Sequence, residues 1–306
     1  MLDICCRISP RLSLRDASIS ICLRNRSLCK RFELTVSSHQ TNPILTVAAS
    51  TYLNSAPLIW SFLHGPKRDH VKLNDAVPAQ CAQLLRETVD VALIPVIEYQ
   101  RIPNISLIDN VCVGSKTEVR SVLLVSKLAD IEQIQNIALD ESSRTSAALL
   151  KIIFREFLKR DPSSTTSSPD LHDMLRSNDA ALIIGDPAMT FSREGLYVWD
   201  MAALWRKYTG LGFVFAMWAV RNDATSQAKQ VDFAVARDEG VAQIDAIVEY
   251  YLTRIPLSRE DLRSYLTDNI AFRLDDQMRE GLALYFKLAA KHGLIDKAKE
   301  PVFIDA

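Results

Sequence analysis

The sequence predicts an α/β protein built as two lobes with a cleft between them. Two observations carry this. Short apolar runs of strand length alternate with stretches of helical spacing from residue 44 to residue 292, the alternation that builds helix-covered sheets. The order of those elements also leaves a middle stretch near residues 112–221 that can form a second lobe before the chain returns to the first. A chain that leaves one lobe, builds another and comes back makes an interlobe cleft, a common place for small ligands. At 306 residues the chain is long enough for one large domain or two ordinary lobes.

Ile44–Ala49 (ILTVAA) reads as the first buried strand. Val77–Glu87 has helical spacing through Cys81, Leu84 and Leu85, and Val89–Val96 (VDVALIPV) is apolar almost throughout, as a buried parallel strand should be. Ser121–Ser126 and Ile137–Leu139 give two more strands, followed by an amphipathic helix over Thr145–Leu158. Asp161–Pro169 (DPSSTTSSP) reads as a loop. Leu171–Leu175 is a short helix, Ala180–Ile184 a buried strand ending at Gly185-Asp186, and Phe213–Val220 (FVFAMWAV) a long buried strand. The remainder is helical over Asp232–Ile255, Ser258–Thr267 and Asp275–His292. Ser258 with Asp261 resembles a capping box, and Gly293 suits a helix C-terminus. The expected sheet is mostly parallel. The expected division is residues 44–111 with 222–306 as one lobe and 112–221 as the other, with residues 1–43 as an N-terminal extension.

The composition is that of a soluble globular protein, with 48% hydrophobic and 24% charged residues and a mean hydropathy near zero. No run of 18 apolar residues occurs, which predicts no membrane-spanning helix. A formal net charge of −1 gives no electrostatic case for a nucleic-acid partner. The charge is uneven, since residues 1–43 carry seven Arg/Lys against three acids. Four of the six cysteines (Cys5, Cys6, Cys22, Cys29) lie in that stretch; Cys81 and Cys112 alone lie beyond it, which fits a reducing, cytoplasmic compartment. The extension admits four readings: a secretory signal with a short, serine-interrupted apolar core; an Arg/Ser-rich transit peptide; a membrane-surface helix; or a poorly ordered or over-long start.

Three segments follow strands, where α/β proteins hold ligands, and a fourth, Glu118–Ser121, precedes a strand near the lobe crossover. Ser50–Pro57 (STYLNSAP) offers Asn54 to grip a hydroxyl or carboxylate, or else Asn54 or Ser55 caps a helix containing Pro57. In Glu118–Ser121, Arg120 suits a carboxylate and Ser121 can add a hydrogen bond, or the segment is a solvated turn. Ser142-Ser143-Arg144-Thr145-Ser146 places four hydroxyls and an arginine at a helix N-terminus, which suits an anion, although one hydroxyl would suffice for capping. At Ile184–Ala188, Gly185 permits close approach to the backbone, and Asp186 can serve as base, hydroxyl acceptor or helix cap. None of the five histidines falls in these segments, and there is no HxxxH, GxSxG, Walker loop or GxGxxG. Metal hydrolysis, serine hydrolysis, nucleotide hydrolysis and dinucleotide chemistry therefore lack support.

Taken together, these segments resemble the chorismate dehydratase family of menaquinone biosynthesis through futalosine. The matching pieces are Tyr52-Leu53-Asn54 with Pro57-Leu58, Asp90–Pro95 with Glu98-Tyr99, Val119–Val122, Ser142–Ser146, Ile184-Gly185-Asp186 with Ala188, and Trp205–Trp218, in family order across roughly residues 44–300. The sister family that forms dihydroxynaphthoate from cyclic futalosine carries an SPCPND-type first motif, where this chain reads STYLNSAP. Pro187 and Gly212 depart from the usual residues at those places.

The resemblance implies a type II periplasmic-binding-protein-like fold with a central cleft. It implies loss of water from chorismate to give 3-[(1-carboxyvinyl)oxy]benzoate, with no metal and no organic cofactor, by a monomer or homodimer. On that footing Asn54 and Ser121 are the expected catalytic groups. Tyr52, Arg120, Ser143, Arg144, Thr145, Ser146, Gly185 and Asp186 are the expected substrate contacts. Three groups compete for the role of base: Asp186, Glu98 and the substrate's own enolpyruvyl carboxylate. The scarcity of titratable side chains in the motifs favours the last.

Overall fold

The first lobe starts on an apolar strand and is completed only after the chain has built the second. The computed structural model describes residues 44–306; the expected extension over residues 1–43, with its four readings, lies outside the described residues. Strand β1 (Leu45–Ala49) passes through a single 3-10 turn into α1 (Ala56–His64), with Pro57 in the first turn. Proline is tolerated there because a first-turn N–H has no intrahelical acceptor to lose. Next come β2 (Val71–Asp75), α2 (Pro78–Glu87), β3 (Val91–Pro95) and the long β4 (Ile105–Ser115), which carries the chain out of the lobe.

The second lobe comprises β5 (Val122–Ser126), β6 (Asn136–Asp140), α3 (Thr145–Ile152), β7 (Ser163–Ser167), α4 (Leu171–Ser177), β8 (Ala180–Ile184), α5 (Pro187–Thr190) and β9 (Tyr197–Asp200). Helix α6 (Met201–Thr209) returns the chain to β10 (Phe213–Arg221). The first lobe is then finished by α7 (Thr225–Val231), α8 (Phe233–Val241), α9 (Ile244–Leu252), α10 (Arg259–Ser264), α11 (Asp276–Lys291) and β11 (Phe303–Ile304).

The first sheet has the order β11-β4-β10-β3-β1-β2 and the second β7-β6-β8-β5-β9. Both are mixed, where a mostly parallel arrangement was expected. β1 runs parallel to β2 and β3, but β10 is antiparallel to both β3 and β4. In the second sheet β6 is parallel to β7 and β8, while β5 is antiparallel to β8 and β9. The reason lies in the crossovers: β4 leaves the lobe and β10 returns beside it, so those two neighbours must run in opposite senses.

β10 also moves the boundary between the lobes. Residues 213–221 were expected in the second lobe, yet they lie at the centre of the first sheet, and Cys112–Ser115 belong to that sheet as part of β4. An all-apolar strand announces burial on both faces without saying in which sheet. β7 corrects the loop expected over 161–169. Its exposed Ser/Thr run pairs with β6 alone, and an edge strand with solvent on both faces needs no apolar pattern. β4 carries no clean signal because Asp109 and Asn110 interrupt it, with Asn110 left-handed at φ 55°. The helix expected over Asp232–Ile255 is two, broken after Val241. The helix over Thr145–Leu158 ends as a wider π-type turn at Ile153–Leu158.

Two expected helix ends are present. The Ser258 hydroxyl oxygen accepts the Asp261 N–H at 3.0 Å, capping α10. Beyond α11, Gly293 is left-handed at φ 67°; it donates to the Ala290 carbonyl at 3.1 Å while Leu294 donates to that of Ala289 at 2.9 Å.

The junction between the lobes is tied by one carboxylate. Asp200 ends β9, and its Oδ1 accepts the N–H groups of Ala202 and Ala203 at 2.9 and 3.0 Å, capping α6. Its Oδ2 accepts those of Val119 and Arg120 at 2.9 and 2.6 Å, on the outgoing segment. One side chain thus binds the path out to the path back. Beside it the fully buried Trp205 packs edge-on against Phe213 and donates its indole N–H to the Gly212 carbonyl at 3.2 Å.

Candidate active site

The cleft between the lobes encloses about 630 Å³, counting the open solvent at its mouth. Its deep walls are apolar, with Leu93, Pro95, Val113, Val122, Ile184 and Phe215. The polar groups gather at two facing strand-to-helix junctions: Ser50–Ser55 after β1 and Ser142–Ser146 after β6. Of the expected site residues, Tyr52, Asn54, Ser143, Arg144, Thr145, Ser146 and Gly185 all line this one cleft.

At the second-lobe junction the hydroxyls have separate tasks. Ser142 gives both its N–H and its O–H to Asp140 Oδ1, at 2.8 and 2.6 Å. Burial pushes the Asp140 carboxyl upward, and these two hydrogen bonds work against that shift. Thr145 locks the helix to the first lobe: its hydroxyl oxygen accepts the Ile97 N–H at 3.3 Å, and its carbonyl accepts the Tyr285 hydroxyl at 3.0 Å. Ser143 Oγ is buried and has no partner among the described residues. No side chain caps α3, so simple capping is not what the hydroxyls do. The first-turn N–H groups and an unpaired buried hydroxyl together form a place for an oxygen anion. Arg144 is exposed at the rim, and its guanidinium donates to the Glu141 carbonyl at 3.2 Å.

At the first-lobe junction no side chain caps α1 either. Asn54 is partly exposed in the cleft, and its Oδ1 accepts the Ser55 hydroxyl at 3.1 Å. Ser121 sits behind the wall rather than on it. It is fully buried, and its hydroxyl oxygen accepts from the Tyr265 phenol at 2.6 Å. Its carbonyl accepts the Gly185 N–H at 2.8 Å.

Gly185 and Asp186 dock the second lobe onto the first. Gly185 has φ 72°, and a Cβ on it would lie 2.8 Å from the Tyr52 ring, so glycine is needed for both conformation and space. The neighbouring Asp186 accepts the Leu53 N–H at 3.0 Å across the interlobe gap. Burial pushes its carboxyl up to about 6, with only that backbone hydrogen bond opposing.

Two expected participants are elsewhere. Arg120 has a left-handed backbone (φ 61°), and its side chain turns to Ser264 and Asn269, at 3.2 and 3.5 Å, with Asp261 3.5 Å away. It does not line the cleft. The grip of Asp200 on its N–H fixes the turn that aims it this way. Glu98 is buried between Arg86 and Arg101, at 2.9 and 2.7 Å, and does not line the cleft. It has the surroundings of a structural ion pair. Tyr265 and Phe215 were not expected at the site. Tyr265 begins a π-type turn after α10 and reads in sequence as one more aromatic on a buried helix face.

A family model described as menaquinone biosynthesis matches residues 45–291. Chorismate dehydratase of Thermus thermophilus is 28% identical over 254 residues, covering 76% of this chain and 91% of that protein. Among solved structures, a protein of Archaeoglobus fulgidus superposes with a TM-score of 0.68 at 19% identity, covering 84% of this chain and all of the other. The alkanesulfonate-binding protein of Xanthomonas axonopodis pv. citri gives 0.61 at 12% identity, covering 86% and 98%. A Candida albicans protein described as having the generic periplasmic binding protein fold gives 0.57 at 15%, covering 84% and 92%. The fold is that of the periplasmic binding proteins. Among the described residues no helix is long and apolar enough to cross a membrane.

Proposed function

The chain belongs to the menaquinone biosynthesis family, and from that membership we propose that it is a chorismate dehydratase, a hydro-lyase converting chorismate to 3-[(1-carboxyvinyl)oxy]benzoate and water. The observation that carries the reading is the cleft itself. Its hydrogen-bonding groups are almost all neutral, and they surround an uncapped helix N-terminus with an unpaired hydroxyl. That arrangement suits a dianion that must be held and oriented.

The chemistry asks little of the protein's bases. Chorismate carries a proton on C3 and a hydroxyl on the neighbouring C4. Loss of that proton and of the hydroxyl forms the C3–C4 double bond and makes the ring aromatic, so the driving force is internal. The first-turn N–H groups of α3 with Ser143 and Ser146 bind one carboxylate, and Arg144 adds charge at the rim. Tyr52 and Gly185 shape the opposite face. Asn54 hydrogen-bonds the departing hydroxyl or a carboxylate as charge moves, while Ser121 is fully buried behind the wall. The C3 proton passes to the substrate's own enolpyruvyl carboxylate, held in place by these contacts. Glu98, paired with two arginines and not lining the cleft, is poorly suited to act as base, and Asp186 stands as a lobe-to-lobe contact.

A reducing, cytoplasmic setting is consistent with the two cysteines among the described residues, Cys81 and Cys112, both free and buried. The test is direct: purified protein is incubated with chorismate while the aromatic product is followed by its ultraviolet absorbance and by proton NMR. Stoichiometric formation of the enolpyruvyl benzoate is expected. Chorismate binding without turnover would make the protein a solute binder, and turnover of cyclic futalosine in place of chorismate would make it the sister enzyme.

A further inference from the structure

A second cavity adjoins the turn that joins β6 to α3. It encloses about 500 Å³, counting the open solvent at its mouth. Ser143 and Arg144 line both this cavity and the cleft, so the turn that carries them is the partition between the two. The hydrogen-bonding groups of the cleft are almost all neutral. The second cavity instead gathers Arg101, Arg144 and Lys151.

Three features suit it to an anion. Arg144, Ala147, Ala148 and Lys151 recur at the spacing of one helix face. The two alanines leave room between a guanidinium and an ammonium. Lys151 is half-buried, and among the described residues its ammonium has no hydrogen-bond or ion-pair partner. Arg144 gives one N–H to the neutral Glu141 carbonyl at 3.2 Å and keeps its charge unpaired. Ser143 is only 3% exposed, and its Oγ is the unpartnered buried hydroxyl.

The acidic groups nearby are already engaged. Asp140 lines the cavity too, but it is buried and its Oδ1 accepts both Ser142 donors. Glu98 is held by Arg86 and Arg101. Asp161, which lines a neighbouring cavity with Lys151, is held by Arg155 at 2.8 Å. The unbalanced charge is therefore that of Arg144 and Lys151.

We propose that this cavity is a second anion site, taking a small carboxylate or phosphate between Arg144 and Lys151, and that its occupant opposes substrate binding in the cleft. The Ser143 hydroxyl has one proton to donate and cannot serve both sides of the turn. Two anions on either side of it also repel each other. The anion site stands on the charges alone, while its effect on turnover rests on the dehydratase reading above.

The experiment titrates inorganic phosphate, and separately malonate, into the full chain against chloride at matched ionic strength. Either anion is expected to raise KM for chorismate with kcat within about two-fold, the tighter of the two identifying the head group. Inhibition no stronger than that of chloride is screening alone and overturns the proposal. Phosphate bound in the cleft would give the same kinetics, and Lys151, which does not line the cleft, separates the two cases. Lys151→Gln is expected to weaken the inhibition about ten-fold, the scale of one charge-assisted hydrogen bond. Its KM in chloride should stay within about two-fold of wild type, because exposed charges at that distance are screened. Lys151→Arg keeps the charge and is expected to keep the inhibition. Equal inhibition of Lys151→Gln and wild type puts the anion in the cleft and overturns the proposal. Binding is also read without chorismate, as a rise in melting temperature with phosphate. A protein inert toward chorismate fails the dehydratase reading alone. A phosphate-dependent rise that Lys151→Gln loses still supports the anion site, and the lack of any rise overturns it.

Discussion

The two strand-to-helix junctions facing each other across the cleft are alike in sequence and opposite in use. Each follows a buried parallel strand, each is rich in small polar residues, and in neither does a side chain cap the following helix. After β1, the polar groups are already engaged: Asn54 with Ser55, and behind the wall Ser121 with Tyr265. After β6, Ser143 Oγ is left buried and unpaired. A buried hydroxyl without a partner costs about 1–3 kcal/mol, and leaving helix N–H groups uncapped costs about 1 kcal/mol more. The comparison separates their tasks. The first junction orients, with its hydrogen bonds already made, and the second binds, with its hydrogen bonds held in reserve.

The sharpest way to break that comparison is Asn54→Ala. If the first junction acts on the reacting atoms, removing its exposed amide should lower kcat about 100–1,000-fold, the scale of losing one preorganised donor, with a much smaller change in KM. Steady-state kinetics on chorismate decide it. A rise in KM with kcat preserved would mean that the first junction also merely binds.

Ser143→Ala tests the other side and should give the reverse pattern. KM is expected to rise about ten-fold, the worth of a charge-assisted hydrogen bond to a carboxylate, with kcat within about three-fold. The ligand-free variant should also be more stable by about 1 kcal/mol, because an unsatisfied buried hydroxyl is gone. Thermal unfolding with and without chorismate reads both effects. A variant less stable than wild type would show that Ser143 has a structural partner.

How much of this was legible in the sequence follows the same division. Residues whose position depends on a local strand-to-helix turn were readable, so Asn54, Ser143–Ser146 and Gly185 fall together in the cleft. Residues placed by tertiary routing were not. Arg120 has the right neighbours for a cleft contact, but the grip of Asp200 on the backbone turns it to Ser264 and Asn269. Glu98 looked available as a base until folding set Arg86 and Arg101 beside it. Tyr265 reaches Ser121 across 144 residues, and no local pattern encodes that meeting. The alternation of strands and helices conveyed the two lobes, whereas the placement of β10 in the first sheet depends on where the chain crosses back.

Asp186 joins the two junctions, and its substitution gives the smallest expected effect. Its carboxyl accepts the Leu53 N–H across the cleft and is pushed up to about 6 by burial, against about 4 in an unfolded chain. The folded protein therefore holds this proton more tightly than the unfolded one. The associated stability is fully present below about pH 4 and is lost as pH rises through 6. Asp186→Asn keeps an acceptor for Leu53 and carries no charge, so its stability should lack this component. Relative to wild type, the variant should gain about 1–2 kcal/mol between pH 4 and pH 7, a two-unit shift discounted for the side chain's partial exposure. Thermal unfolding across that range measures it, and a gap that does not widen would show that the carboxylate is not held in this way. Turnover of the same variant at pH 8 bears on the base. Retained kcat leaves proton abstraction to the substrate's carboxylate, whereas lost turnover with chorismate still bound would make Asp186 the base and the lobe-to-lobe contact its means of placement.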